Sequence, residues 1–141
     1  MSRENVELHR RIYRALNGRD EQGLVGLCDP RIEVHSVFAA VGGAVYHGHE
    51  GVRRWQRDLS ESWGGEFRVE AQAYFDFGEH TLVSAVLHGR GGQSGVDVAM
   101  PATGIATWRD GLCVAHKAYP LKEEALRQLG VTEDSLEPIA P

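Results

Sequence analysis

Cysteine is scarce in this chain. Its 141 residues include only Cys28 and Cys113, each in an apolar run, and they read as buried thiols in a reducing compartment rather than as a disulfide framework. Long apolar runs are missing too. No stretch approaches the ~20 residues that span a bilayer. The opening MSRENVELHRR is charged and helical, without the apolar core of a signal peptide. A cytoplasmic protein with no membrane partner is expected. Basic residues are outnumbered, 15 Lys and Arg against 20 Asp and Glu for a net charge of −5. That balance argues against nucleic acid, which wants clustered cations. No Ser or Cys stands in a Gly-x-Ser-x-Gly elbow. Gly89-Arg90-Gly91-Gly92 lies between strands and opens no helix, so it is not expected to cradle phosphate. His47-x-His49 offers two ligands where zinc takes about three or four. Neither a metal nor a cofactor is expected.

What the chain does have is a turn running into an amphipathic helix, His47 to Trp63. Val52, Trp55, Gln56, Leu59 and Trp63 recur at helical spacing, while Arg53, Arg54, Arg57, Asp58 and Glu61 form the opposite, solvated face. Upstream, Ser2 caps a first helix whose stripe is Val6, Leu8, Ile12, Tyr13, Ala15 and Leu16, ended by Asn17-Gly18. Asp20 caps a short second helix that Asp29-Pro30 stops. Ile32 to Phe38 alternates as a strand, 39–44 is a small-residue loop, and Val45-Tyr46 is a brief strand.

From Phe67 the period changes to two. Phe67, Val69, Ala71, Ala73, Phe75 and Phe77 form one face of a strand. Thr81 to Arg90 is a second strand, apolar on both faces, followed by a Gly-rich loop over 89–95. Val96 to Arg109 is a third, in which Pro101 implies an edge or a bulge. Asp110-Gly111 turns the chain into Leu112 to Tyr119. Leu121 to Leu129 closes as a helix, and 131–141 is expected to be a flexible tail behind a single domain over 1–130. Helices segregated from antiparallel strands mean α+β. A curved sheet around the long helix would leave a cone-shaped apolar cavity, where function should lie.

The stretches MSRENVELHRRIYRALNGRD, LCDPRIEVHS, YHGHEGVRRWQRDL and ATWRDGLCVAHKAYPLKEEAL resemble the SnoaL-like branch of the nuclear-transport-factor-2-like superfamily. This resemblance implies the cystatin-like cone and a homodimer formed through the sheet. The superfamily holds ketosteroid isomerases, polyketide cyclases, limonene epoxide hydrolases, scytalone dehydratases and binding modules without chemistry. Carried over by position, the isomerase base falls at Ser36, or at His35 with a one-residue slip. Its oxyanion Tyr falls at Ile12, beside Tyr13, and its protonated Asp near Ile105. The two acids of the epoxide hydrolases fall at His88 and Ala118. None of these sets is intact.

Strand parity then nominates the site. Leu112, Val114, His116 and Ala118 share a face, as do Leu82, Ser84, Val86 and His88. Asp97, Ala99, Thr103, Ile105 and Thr107 form a third set. His88, His116, Asp97 and His35 become candidate acid–base residues, since histidine titrates near neutrality and an acid beside it orients the ring. Tyr13, Ser36, Trp55, Leu59, Val86, Ile105 and Ala118 become candidate substrate-binding residues. The expected activity is cofactor-independent isomerisation, cyclisation, dehydration or water addition on an apolar carbonyl- or epoxide-bearing molecule. The rivals are a dimeric ligand-binding module without catalysis, and an interaction unit whose cone is filled by its own rings.

Overall fold

The first helix sets the inner surface of the fold. In the computed structural model, which describes residues 3–38, 44–91 and 95–141, α1 (Arg3–Asn17) buries Val6, His9, Ile12, Tyr13, Ala15 and Leu16. The expected Ser2 cap, most of the 39–44 loop and the centre of the Gly-rich loop lie outside the described residues. Next comes α2 (Glu21–Gly26), whose N-cap Asp20 accepts from the Gly23 amide, as Asp does well at that position. Then follow β1 (Cys28–Ser36), β2 (Ala44–His47), α3 (Gly48–Trp63), β3 (Arg68–Phe77), β4 (His80–Gly91), β5 (Val96–Arg109), β6 (Leu112–Tyr119) and α4 (Lys122–Leu129). The strands form one curved α+β sheet in the order β2-β1-β6-β5-β4-β3. Neighbours are antiparallel except β1 and β6, which run parallel. Among the described residues no helix is long and apolar enough to cross a membrane.

Over part of β3, β4 and β5 both faces of the sheet are covered, and that decides which residues reach the cone. The inner face packs on α1 and α3 in one large cluster that includes Val6, Leu16, Val34, Trp55, Val83 and Trp108. The outer face carries a second cluster, Phe75, Leu82 and Ile105 beneath Ala125 and Leu126 of α4. On β4 the adjacent Leu82 and Val83 are 0% and 1% exposed, so no alternation marks the inner side. The inner residues prove to be Val83, Ala85 and Leu87, not the set containing Leu82, Val86 and His88. Pro101 pairs with Val86 without a break in register. It lies outside the 103–109 stretch that β6 pairs, so the proline marks an edge and not a bulge.

Two register shifts re-aim side chains elsewhere. A shift between Ala71 and Ala73 sends Tyr74 inward and Phe75 outward, splitting the face expected to run unbroken from Phe67 to Phe77. Another shift, opposite Thr107 and Trp108, brings Cys113 and Ala118 to the inner cluster. Extra residues of this kind change strand faces by design. Cys28 and Cys113 face each other across β1 and β6 as buried free thiols, and burial pushes Cys28 up to about 12.

The free edge of β3 is closed by unusual partners. The Asn17 side chain pairs with the Val69 backbone as a strand would, donating through Nδ2 at 2.9 Å and accepting at Oδ1 from the amide at 2.8 Å. Further along, Ile139 and Tyr74 exchange both backbone bonds. Arg10 donates to the Ala140 carbonyl, and Leu136 packs on the outer cluster. The segment expected to hang free as a tail is thus tied to the body at several points, which also blocks the edge against strand addition. Replacing Asn17 with Ala should cost about 1–2 kcal/mol, the net worth of two such bonds. Urea unfolding should show it as a lower midpoint at unchanged slope.

Candidate functional site

The cone holds a small cavity of about 40 Å³. It is therefore a narrow slot. Trp55 and Leu59 of α3, Leu16 of α1, Phe38 past β1, and Val83, Ala85 and Leu87 of β4 wall it. Among the described residues no Asp, Glu, Lys or Arg lines it. An uncompensated charge would be costly in such a place, whereas a neutral polar group needs only a hydrogen-bond partner.

That partner is available at one point. The Tyr13 hydroxyl lies 2.9 Å from His116 Nε2, both groups buried. Tyr13 comes from the inner stripe of α1 and His116 from the inner face of β6. Trp55 packs its ring 5.3 Å from the imidazole. Gly104 of β5 makes the space: a Cβ there would sit 2.5 Å from the Tyr13 oxygen and 3.4 Å from His116 Nε2. Burial pushes His116 down to about 4 and holds Tyr13 well above its ordinary value. At neutral pH the site is thus an uncharged imidazole against an un-ionised phenol. Trp55 Nε1 and His116 Nδ1 have no hydrogen-bond partner among the described residues, so the cavity wall carries unspent polar atoms.

The model of the SnoaL-like domain matches residues 9–116, most of the chain. The protein belongs to the SnoaL-like family. No protein of curated function matches it. Solved structures share its fold at low identity. A Catenulispora acidiphila protein with a ketosteroid isomerase-like fold, crystallised with trimethylamine, is 18% identical, with 93% of this chain and 98% of that one covered and a TM-score of 0.72. An NTF2-like protein of unknown function from Burkholderia pseudomallei is 20% identical, covering 88% and 95%, at 0.74. TerC, co-crystallised with polyporic acid, is 19% identical, covering 89% and 97%, at 0.72. At such identities they establish the cone and nothing about chemistry.

Within this SnoaL-like cone the structure brings together Tyr13, Ser36, Trp55, Leu59, His116 and Ala118. It does not bring the other nominated residues there. His88 stands on the outer-facing parity of β4 and pairs with Glu70 at 2.9 Å. Asp97, its side chain 86% exposed, pairs with Arg90 at 3.1 Å, its register partner across β4 and β5. His35 pairs with Glu33 at 2.8 Å, because Ile32, Val34 and Ser36 take the buried side of β1. Val86 shares the face of His88, and Ile105 belongs to the cluster under α4. The expected group of three histidines and an acid is therefore replaced by one histidine and one tyrosine. His49, half of the His-x-His pair, has its Nε2 2.8 Å from the Cys28 carbonyl.

Sequence reasoning passed over His9, Thr81 and Gly104. His9 is 0% exposed and stacks on Tyr13 with ring centroids 5.1 Å apart. Its signal was present: His9 falls three residues after Val6 and four before Tyr13, on the apolar stripe of α1.

Proposed function

We propose that this SnoaL-like protein binds a small, uncharged, mostly apolar molecule in its cone, with a carbonyl or epoxide oxygen placed against Tyr13 and His116. The buried Tyr13–His116 hydrogen bond, in a cavity that no charged side chain lines among the described residues, carries this reading. The neutral imidazole, protonated on Nε2, donates to the phenol oxygen, and the phenol proton is then free to polarise the ligand's acceptor oxygen. Isomerisation, cyclisation, dehydration and water addition all draw on that pair, and none of them calls on a cofactor here. A second reading is a carrier or sensor of the same ligand. It is favoured by the weak basicity of His116, near 4, where general bases work best near the operating pH. The family's homodimer and a cytoplasmic setting belong to the same proposal; Val37 and Val45, 48% and 47% exposed, offer apolar area on a groove at the ends of β1 and β2.

The test is a panel of small cyclic ketones and epoxides, with the carboxylate and the amine of the same skeleton, followed by tryptophan fluorescence. The neutral members should bind and the charged ones should not. Tyr13→Phe should weaken the ketones about tenfold, the loss of one hydrogen bond of ~1.4 kcal/mol. Equal binding of the charged members would overturn the proposal. Deuterium uptake next to the bound carbonyl in heavy water separates the enzyme from the carrier.

A further inference from the structure

Behind the Tyr13–His116 pair lies a hydrogen-bonded line that runs from the sheet into α1. Trp108 Nε1 lies 2.8 Å from Thr81 Oγ1, and the same oxygen lies 2.8 Å from His9 Nδ1. An indole N–H can only donate, so Thr81 accepts from Trp108; the Thr81 hydroxyl proton in turn needs an acceptor, and His9 Nδ1 is the one its described contacts offer. Nδ1 then accepts, and neutral His9 carries its proton on Nε2. Among the described residues that Nε2 has no partner, and neither has His116 Nδ1, although both are buried. The two rings stand 5.9 Å apart at 89°. Buried polar nitrogens as a rule find a protein or water partner. One water accepting from the first and donating to the second would bridge about 5 Å.

We propose that His9 and His116 hold one internal water between Nε2 of the former and Nδ1 of the latter, and that His9 thereby sets the direction of the hydrogen bonds in the site. The water accepts from His9 and donates to His116 Nδ1. His116 is then protonated on Nε2 and donates to the Tyr13 oxygen. The Tyr13 proton is left free to point into the cavity. His9 is a positioning residue: it touches no ligand, yet it decides whether the phenol spends its proton on His116 or offers it outward. The proposal goes beyond the binding reading and is tested without a ligand.

Long-range nitrogen-15 NMR on the wild-type protein reads the tautomers, and a high-resolution crystal structure reads the water. Both rings should be protonated on Nε2, with one water within hydrogen-bond reach of the two nitrogens. A His116 protonated on Nδ1, or no water between the rings, would overturn the proposal. Thr81→Val supplies the coupled readout. It cuts the line at Thr81, which β5 separates from His116 in the sheet, so His116 should pass from one tautomer to a mixture. An unchanged His116 tautomer in that variant would show that His9 does not set the direction.

Discussion

Acidification from pH 7 to pH 4 is expected to remove about 3 kcal/mol of stability through His116 alone. The ring falls from an ordinary 6.5 to about 4 when buried, about 2.5 units at ~1.36 kcal/mol each. Between those values the unfolded chain binds a proton that the folded chain refuses. Stability therefore rises with pH through that window. It is fully present above about 6.5 and drains away as the pH falls toward 4. His9 adds loss of the same sign. Its value is lowered first by burial and then by the charge of His116, so protonating His116 makes His9 harder still to charge. Glu33 and Glu70 give way at lower pH, because hydrogen bonds from His35 and His88 hold their carboxyls below the ordinary range. Urea unfolding at a series of pH values from 4 to 8 measures the slope. His116→Gln should flatten it between about 4 and 6.5. An unchanged slope in that variant would mean that His116 is not the buried neutral base on which the site depends.

The same two-sided burial that makes His116 acid-sensitive limited how much of the site could be read beforehand. The fold was legible because each element carried its own period and stops: the α3 stripe through Val52, Trp55 and Leu59, the Asp20 cap, the Asp110-Gly111 turn. Strand β1 was legible as a strand, but its parity was left open between His35 and Ser36, although Ile32, Val34 and Ser36 take the buried side. In strands β4 and β5 the faces were not legible. With α4 packed outside and the cone inside, both faces are apolar, and a one-residue choice of parity moved Leu82, Val86, His88 and Ile105 to the wrong side. The register shifts in β3 and β6 cannot be seen in composition at all. His9 stood on the α1 stripe, but its role was not legible: a histidine on a helix reads as polar until its partners are known, and Thr81 and Trp108 are far away in sequence.

Gly104→Val should collapse the site and cost on the order of 4 kcal/mol, combining about 1–3 kcal/mol of overpacking with similar losses from buried polar groups parted from each other. Gly104 lies in a paired stretch of β5 and is not among the glycines with positive φ, so its role is space and not backbone freedom. A first side-chain carbon would meet the Tyr13 oxygen at 2.5 Å and Val83 Cγ1 at 3.2 Å. Tyr13 has nowhere to retreat, being stacked on His9 and bonded to His116. Even Gly104→Ala must therefore break the bond or move the helix. Tyr13→Phe removes the atom that the new carbon strikes, so the Gly104→Ala, Tyr13→Phe double variant should be more stable than the sum of the two single changes predicts, a coupling of about 1 kcal/mol or more. Strict additivity in that cycle would mean that the phenol does not sit against β5. The reading of this cavity as a place where a tyrosine proton meets a ligand would then lose its geometric basis.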